Sequence, residues 1–340
     1  MHVWWSGKVC AAAAAVVALL GVTACGSDTA GDASGAGAAP AAVETRIQPY
    51  IDASITSTAL DEMASTTGVD DAVLAFALAS GDSCTPAWGG TRRLTDPALV
   101  DAAKGLTARG GRITVATGGA SGPYLENACA DADALAGAYR AALDAVGSNR
   151  LDVDIEADIP AATVVSALKQ LQDERGTGVS LTLPVESAGL TPAALALVRA
   201  ADEAGVTADV NAMIMNFHAD GAWATAMTDA TGAVLGQLRQ LRPDEPAAQT
   251  AARTGVTFML GRTDLGAVTT LDAAAAVTRD ARARGLGSVG FWSVGRDNGG
   301  CPDATAAAYD CSGIAQSRFA FTEIVRDNLA DTAPPEDSAR

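Results

Sequence analysis

The segment Asn149-Arg150-Leu151-Asp152-Val153-Asp154-Ile155-Glu156 holds a carboxylate at every second position from Asp152 on. On a β-strand alternate side chains share a face, so Asp152, Asp154 and Glu156 project one way and Leu151, Val153 and Ile155 the other. Three carboxylates in a restricted space cannot all ionise at low cost. Their titrations couple, and at least one keeps its proton above the usual carboxylate range. A carboxyl that stays protonated near neutrality is what a general acid requires. The spacing admits two other readings: a half-exposed strand with a solvated face, or oxygen ligands for calcium. The neighbouring β-prone runs 72–78, 112–117 and 210–215 carry no acidic alternation. A single acid-bearing strand in a sheet otherwise buried on both faces favours a functional cluster.

These carboxylates need a frame. From about residue 46 short β-prone runs alternate with Ala-rich amphipathic stretches. The spacing predicts strands at 47–53, 72–78, 112–117, 150–156, 178–183, 209–215, 256–260 and 289–292, and its clearest helices at 97–109, 130–146, 161–175, 192–204, 223–241 and 271–284. Thr191-Pro192 reads as a helix cap followed by proline at the first helical position. About eight strand–helix units over ~285 residues have the size and rhythm of an α/β fold, a single-domain (β/α)8 TIM barrel. A doubly wound open sheet is the alternative. In a barrel the acidic row points inward, and Glu156, last in the row, lies nearest the rim that carries active sites.

Composition narrows the chemistry. The chain has 340 residues, 49% of them hydrophobic, and a net charge of −17 from 23 basic and 40 acidic residues. Such a chain repels phosphates, so no nucleic-acid partner is expected. The only histidines are His2 and His218, which leaves little for a histidine zinc site and only His218 for a Ser–His–Asp triad. Aromatics are 4% of the chain, too few for a broad aromatic platform.

Residues 1–24 show a lone Lys8, an apolar run from Val9 to about Leu20 and a small-residue end, the pattern of an export signal. The apolar run is short of the roughly 20 residues of a spanning helix. Val22-Thr23-Ala24-Cys25 resembles a bacterial lipobox, in which the cysteine becomes the lipidated first residue. Residues 25–43 read as a flexible tether of small residues, 44–330 as the folded barrel and 331–340 as a loose tail after Pro334-Pro335. The expected location is the outer face of the cell membrane, by lipid anchor, or outside the cell. Beyond Cys10 in the signal and Cys25, four cysteines remain. An even number in an exported chain suggests disulfides. Cys301 and Cys311, close together in a Gly/Pro loop, pair with each other and leave Cys84 for Cys129.

The acidic row resembles the end of the D-G-x-D-x-D-x-E signature of family 18 glycoside hydrolases, the chitinases. Val115-Ala116-Thr117-Gly118-Gly119-Ala120-Ser121-Gly122 resembles that family's S-x-G-G strand end. Val210-Asn211-Ala212-Met213-Ile214-Met215-Asn216-Phe217 is similar to its V-N-x-M-T-M-D-Y segment. Phe291-Trp292-Ser293-Val294-Gly295-Arg296-Asp297-Asn298 is similar to its last strand, and Tyr50-Ile51-Asp52 and Cys84–Gly90 fit its first strands and loops. The resemblance covers residues 45–328 in order.

It implies a barrel that cleaves β-1,4-linked N-acetylglucosamine polymers or oligomers with retention and substrate assistance, needing no cofactor and no metal. Carried over, Glu156 is the general acid and base, Asp154 orients the acetamido group, and Asp152 sets the proton balance of Asp154. Trp292 floors the sugar site, with Met213, Met215, Asn216, Phe217, Tyr50, Gly118 and Gly119 as further binding residues. The chain departs from the pattern at Asn149, Arg150, Ala116, Asn216 and Phe217, so reduced or altered activity is expected. His218 offers a replacement donor for the lost tyrosine hydroxyl or is a surface histidine. A monomer is expected, acting on soluble oligosaccharides, since no separate chitin-binding module is visible. Two other functions fit the sequence: a catalytically weak glycan-binding protein on this fold, and a two-lobed solute-binding lipoprotein.

Overall fold

The computed structural model describes residues 44–55 and 58–330. The signal, Cys25, the tether and the tail expected at 331–340 lie outside the described residues. Eight parallel strands close into a barrel: β1 (Arg46–Asp52), β2 (Ala72–Ser80), β3 (Ile113–Gly118), β4 (Arg150–Asp154), β5 (Gly178–Glu186), β6 (Ala208–Met213), β7 (Thr254–Met259) and β8 (Ser288–Trp292). Each strand pairs with the next, and β8 returns to β1 in parallel register, Arg46 opposite Ser288 and Tyr50 opposite Trp292. The described residues thus form one closed barrel, without the two lobes of the solute-binding reading or the free edges of an open sheet.

The strands form because both of their faces are covered. β2 reads AVLAFALAS and β3 ITVATG, near-continuous apolar runs of the kind buried parallel strands require. Outward residues such as Leu151, Val153, Leu181 and Val289 join one large core beneath the helices. Inside the barrel the apolar cluster is small: Tyr50, Val73, Ala75 and Ala116. Two alanines there leave space that polar side chains of β4, β5 and β6 fill.

Eight long helices surround the strands: α1 (Thr58–Thr67), α2 (Pro97–Ala108), α3 (Ala132–Val146), α4 (Ala161–Arg175), α5 (Pro192–Glu203), α6 (Trp223–Leu241), α7 (Leu271–Arg284) and α8 (Ala320–Ala330), with short helical turns at Leu125–Ala128 and Ala247–Ala252 between them. Local chemistry sets their ends. Thr191 caps α5 by accepting from the Ala194 amide, with Pro192 in the first turn, as its sequence implies. Asp131 caps α3, which therefore starts two residues later than expected. Gly147, Gly176 and Gly285 end α3, α4 and α7 in the left-handed conformation. The sequence reading did not single out α1 or α8.

Two strand ends correct the sequence expectation. β4 stops at Asp154 instead of Glu156. Ile155 still donates to Thr182 O at 3.0 Å, but the Glu156 amide turns to a side chain, the Tyr124 hydroxyl. β6 stops at Met213 instead of Met215, and the chain bends away through Asn216, whose φ is +53°. Both disulfides match expectation, Cys84–Cys129 and Cys301–Cys311. Among the described residues no helix is long and apolar enough to cross a membrane.

Candidate active site

The alternation read from β4 holds in the barrel. Leu151 and Val153 are fully buried against the helices, while Asp152 and Asp154 are buried on the inner face. Glu156 follows two residues past the last ladder position and stands exposed at the mouth. The row therefore runs from the interior to the rim where the strands end.

The deepest member is fully engaged. Asp152 Oδ1 accepts from Ser180 Oγ at 2.6 Å and Thr182 Oγ1 at 2.7 Å, and its Oδ2 accepts from Tyr50 OH at 2.9 Å. Asn211 extends this network, donating to Tyr50 OH at 3.0 Å and Thr257 Oγ1 at 2.7 Å. Burial raises the Asp152 pKa, and the three hydroxyl donors oppose that rise. Hydroxyl hydrogens aimed at both oxygens suit an anion's neighbours better than a cation's. Among the described residues no group of three or more His, Cys, Asp and Glu side chains is arranged to hold a metal ion.

Asp154 differs. Its Oδ1 is buried and has no hydrogen-bond partner. Burial first, then the charges of Glu156, Asp152 and Glu126, push its pKa well above the usual range. Glu156 is also raised, by the desolvating walls of the mouth and then by Asp264. Both neighbouring carboxyls thus hold a proton to higher pH than a free carboxylate, the shift a general acid needs.

Asp154 and Glu156 line a cavity of about 100 Å³ with Tyr50, Met213, Met215, Asn216 and Trp292. The structure thus brings together most of the residues the sequence singled out. Gly118 and Gly119 instead serve the wall. A Cβ on Gly118 would meet Asp154 O at 1.8 Å, and one on Gly119 would meet the Phe76 ring at 2.6 Å, both at positive φ. Ala120, next in the chain, lines the cavity in their place. Phe217 is buried against Trp223, ring centroids 4.9 Å apart, in the core behind the cavity. His218 is exposed.

Several residues at the site escaped the sequence reading. Phe76 stacks on Trp292 with centroids 5.5 Å apart and planes 22° apart. Thr182, Thr257 and Met259 complete the wall. Asp264 lines the cavity from the loop after β7 and is gripped by Asn216, which donates from Nδ2 to Asp264 Oδ2 at 2.7 Å and accepts the Asp264 amide at 3.0 Å. Glu126 is fully buried behind the wall, accepting from Thr117 Oγ1 at 2.7 Å and Tyr139 OH at 2.8 Å. Inward polar residues at alternate positions of β5, Ser180 and Thr182, were the available signal for the Asp152 partners. Asp264 and Phe76 had none within their own segments.

Glu156 also borders a second cleft, of about 600 Å³, lined by Ile155, Leu183, Pro184 and Leu197 between the strand ends and the helices. A carboxyl at the cavity mouth can hand a proton to an atom of a molecule seated in the cavity, and the unpartnered Asp154 oxygen can accept one donor from that molecule.

No family model matches the chain. It is 30% identical over 303 residues to a probable bifunctional chitinase/lysozyme of Escherichia coli (strain K12), over 81% of this chain and 33% of that protein. It is 30% identical over 274 residues to endochitinase 11 of Metarhizium anisopliae, over 73% of this chain and 52% of that protein. The chain thus spans about a third and about half of the lengths of these two relatives. Among solved structures, active domain 2 of a thermostable chitinase from Pyrococcus furiosus, in catalytic-site mutants complexed with chito-oligosaccharides, matches with a TM-score of 0.79 and 30% identity, covering 87% of this chain and 100% of that domain. With barrel, acidic row and these matches in agreement, the chain belongs to the chitinases of glycoside hydrolase family 18.

Proposed function

We propose that the protein hydrolyses β-1,4-linked N-acetylglucosamine, in chitin or soluble chitooligosaccharides, by a retaining, substrate-assisted mechanism. The observation that carries this reading is the contrast within the acidic row: an anchored Asp152, an Asp154 with a free buried oxygen, and a Glu156 at the mouth of the cavity they share. The Pyrococcus furiosus domain in complex with chito-oligosaccharides supports the substrate class.

In this mechanism Glu156 gives its proton to the glycosidic oxygen. The bond from C1 to that oxygen breaks as the acetamido carbonyl oxygen of the same sugar attacks C1, and the leaving sugar departs carrying the proton. Asp154 accepts a hydrogen bond from the acetamido N–H at its unpartnered Oδ1 and so orients the acetamido oxygen toward C1. Glu156, now ionised, takes a proton from water as that water attacks C1 and reopens the ring, leaving the β anomer. Asp152, held by Tyr50, Ser180 and Thr182, keeps charge on the row while Asp154 works. Trp292, braced by Phe76, offers the face on which the sugar ring rests.

Asn216 bears on the rate. The charge its relatives' motif carries is gone, but its amide holds the Asp264 carboxylate in the same cavity. We propose slowed rather than abolished turnover. Export, lipidation at Cys25 and action as a monomer complete the proposal. They rest on the sequence pattern, and a Cys25→Ala chain found free in the medium while the wild type stays on the membrane would test the anchor.

The test of function is hydrolysis of fluorogenic N-acetylchitooligosaccharides by residues 44–340, beside Glu156→Gln. Turnover lost in the variant supports the reading. Sugar binding by the folded wild type without turnover would replace it with the glycan-binding alternative.

A further inference from the structure

The general acid sits where the sheet no longer holds it, and the structure shows what does. Gly119 N donates to Asp154 O at 2.9 Å, the last regular rung between the β3 end and the β4 end. In a parallel ladder the next rung would run from the Glu156 N–H to the Gly119 carbonyl. That rung is not direct. The Tyr124 hydroxyl stands in it, accepting from Glu156 N at 3.1 Å and donating to Gly119 O.

Resting on the assignment of Glu156 as the acid, we propose that Tyr124 is a positioning residue: its phenol replaces one rung of the β3–β4 ladder and thereby sets the backbone from which the Glu156 side chain enters the cavity. A hydroxyl suits this because it donates and accepts at once. Inserted between an amide and a carbonyl, it holds the two further apart than the roughly 2.9 Å of a direct bond. Glu156 is thereby displaced from β3, which fits its exit from the strand at Asp154.

The phenol is itself fixed. Tyr124 is 5% exposed. Two residues on, the buried Glu126 carboxylate ties the loop to Thr117 on β3 and Tyr139 on α3. Glu126 lies on a short helix, Leu125–Ala128, and Cys129, which caps it, is bonded to Cys84. Glu126, a buried carboxyl with no step in the mechanism, thus anchors the loop that aims the acid.

Tyr124→Phe keeps the ring and removes the bridge. The direct rung can then close, drawing the Glu156 backbone toward β3 by on the order of an ångström, a misplacement that costs up to roughly a hundredfold in rate. The experiment measures kcat and KM of wild type, Tyr124→Phe and Glu156→Gln on a fluorogenic N-acetylchitooligosaccharide, together with amide hydrogen exchange at Glu156 in the wild type. The expected result is a kcat lowered at least tenfold in Tyr124→Phe with KM within about threefold, and a protected Glu156 amide. Tyr124→Phe turning over within twofold of an active wild type overturns the proposal alone. A Glu156 amide exchanging at an unprotected rate overturns it as well, without reliance on the folding of any variant. A wild type without turnover overturns the acid assignment, and the proposal with it.

Discussion

Asp152 and Asp154 sit two residues apart on the same strand, both buried and both facing the barrel interior. One is bonded to Tyr50, Ser180 and Thr182; the other has an oxygen with no partner. The layer below the cavity is therefore built to hold a carboxylate at rest, and the layer at the cavity to leave one unsatisfied. The difference separates structural from chemical work. The hydroxyl donors around Asp152 offset much of the cost of burying it, whereas Asp154 is kept at a cost that a bound ligand would relieve.

The largest expected effect lies at the end of the row. Glu156→Gln, which retains shape but carries no proton to give, should lower kcat on N-acetylchitooligosaccharides by about 10³-fold, within the usual range for removing an acid or base. Asp154→Ala should follow at roughly 10²-fold in kcat, the scale of losing one preorganised charge contact. Its stability should be unchanged or higher at pH 7, because an unpartnered buried carboxyl is removed. Asp152→Ala should do the reverse in stability, losing about 2–3 kcal/mol in denaturant unfolding as its hydroxyl donors lose their acceptor. If Asp154→Ala proved the less stable of the two, the comparison would fail.

The pH dependence sharpens the same contrast. Asp154 binds its proton more tightly in the folded chain than in the unfolded one. The folded state therefore carries the extra proton between the unfolded value near 4 and the raised folded value, and stability falls as pH rises through that window. Asp154→Asn should flatten that part of a melting-temperature profile. The smallest effect belongs to Asp264, whose charge helps raise Glu156. Asp264→Asn should move the basic limb of the pH–rate profile to lower pH, and only slightly, because the charge is screened at an open mouth.

Much of this was legible because its signals are local. The parity of Asp152, Asp154 and Glu156 needs only a strand, and the near-continuous apolar runs 72–78 and 112–117 need only cover on both faces. The Cys301–Cys311 pair followed from proximity, and elimination then assigned Cys84 to Cys129. What the sequence hid are meetings between segments. Glu156 leaves the strand because Tyr124, 32 residues earlier, intercepts its amide. Asp264 reaches the cavity through Asn216, 48 residues away. Phe217 follows Asn216 in the chain, but the bend there turns it into the core against Trp223. Gly118 and Gly119 were read as sugar neighbours, whereas their geometry answers to the Asp154 carbonyl and the Phe76 ring.

The account turns on the claim that Glu156 supplies the proton while the sugar's own acetamido group, oriented by Asp154, supplies the nucleophile. The most direct test is proton NMR of the reducing-end anomer in the first minutes of chitooligosaccharide hydrolysis by the wild type. The account predicts the β anomer first, with the α form appearing only by later mutarotation. An initial α anomer would mean direct displacement by water and would contradict it.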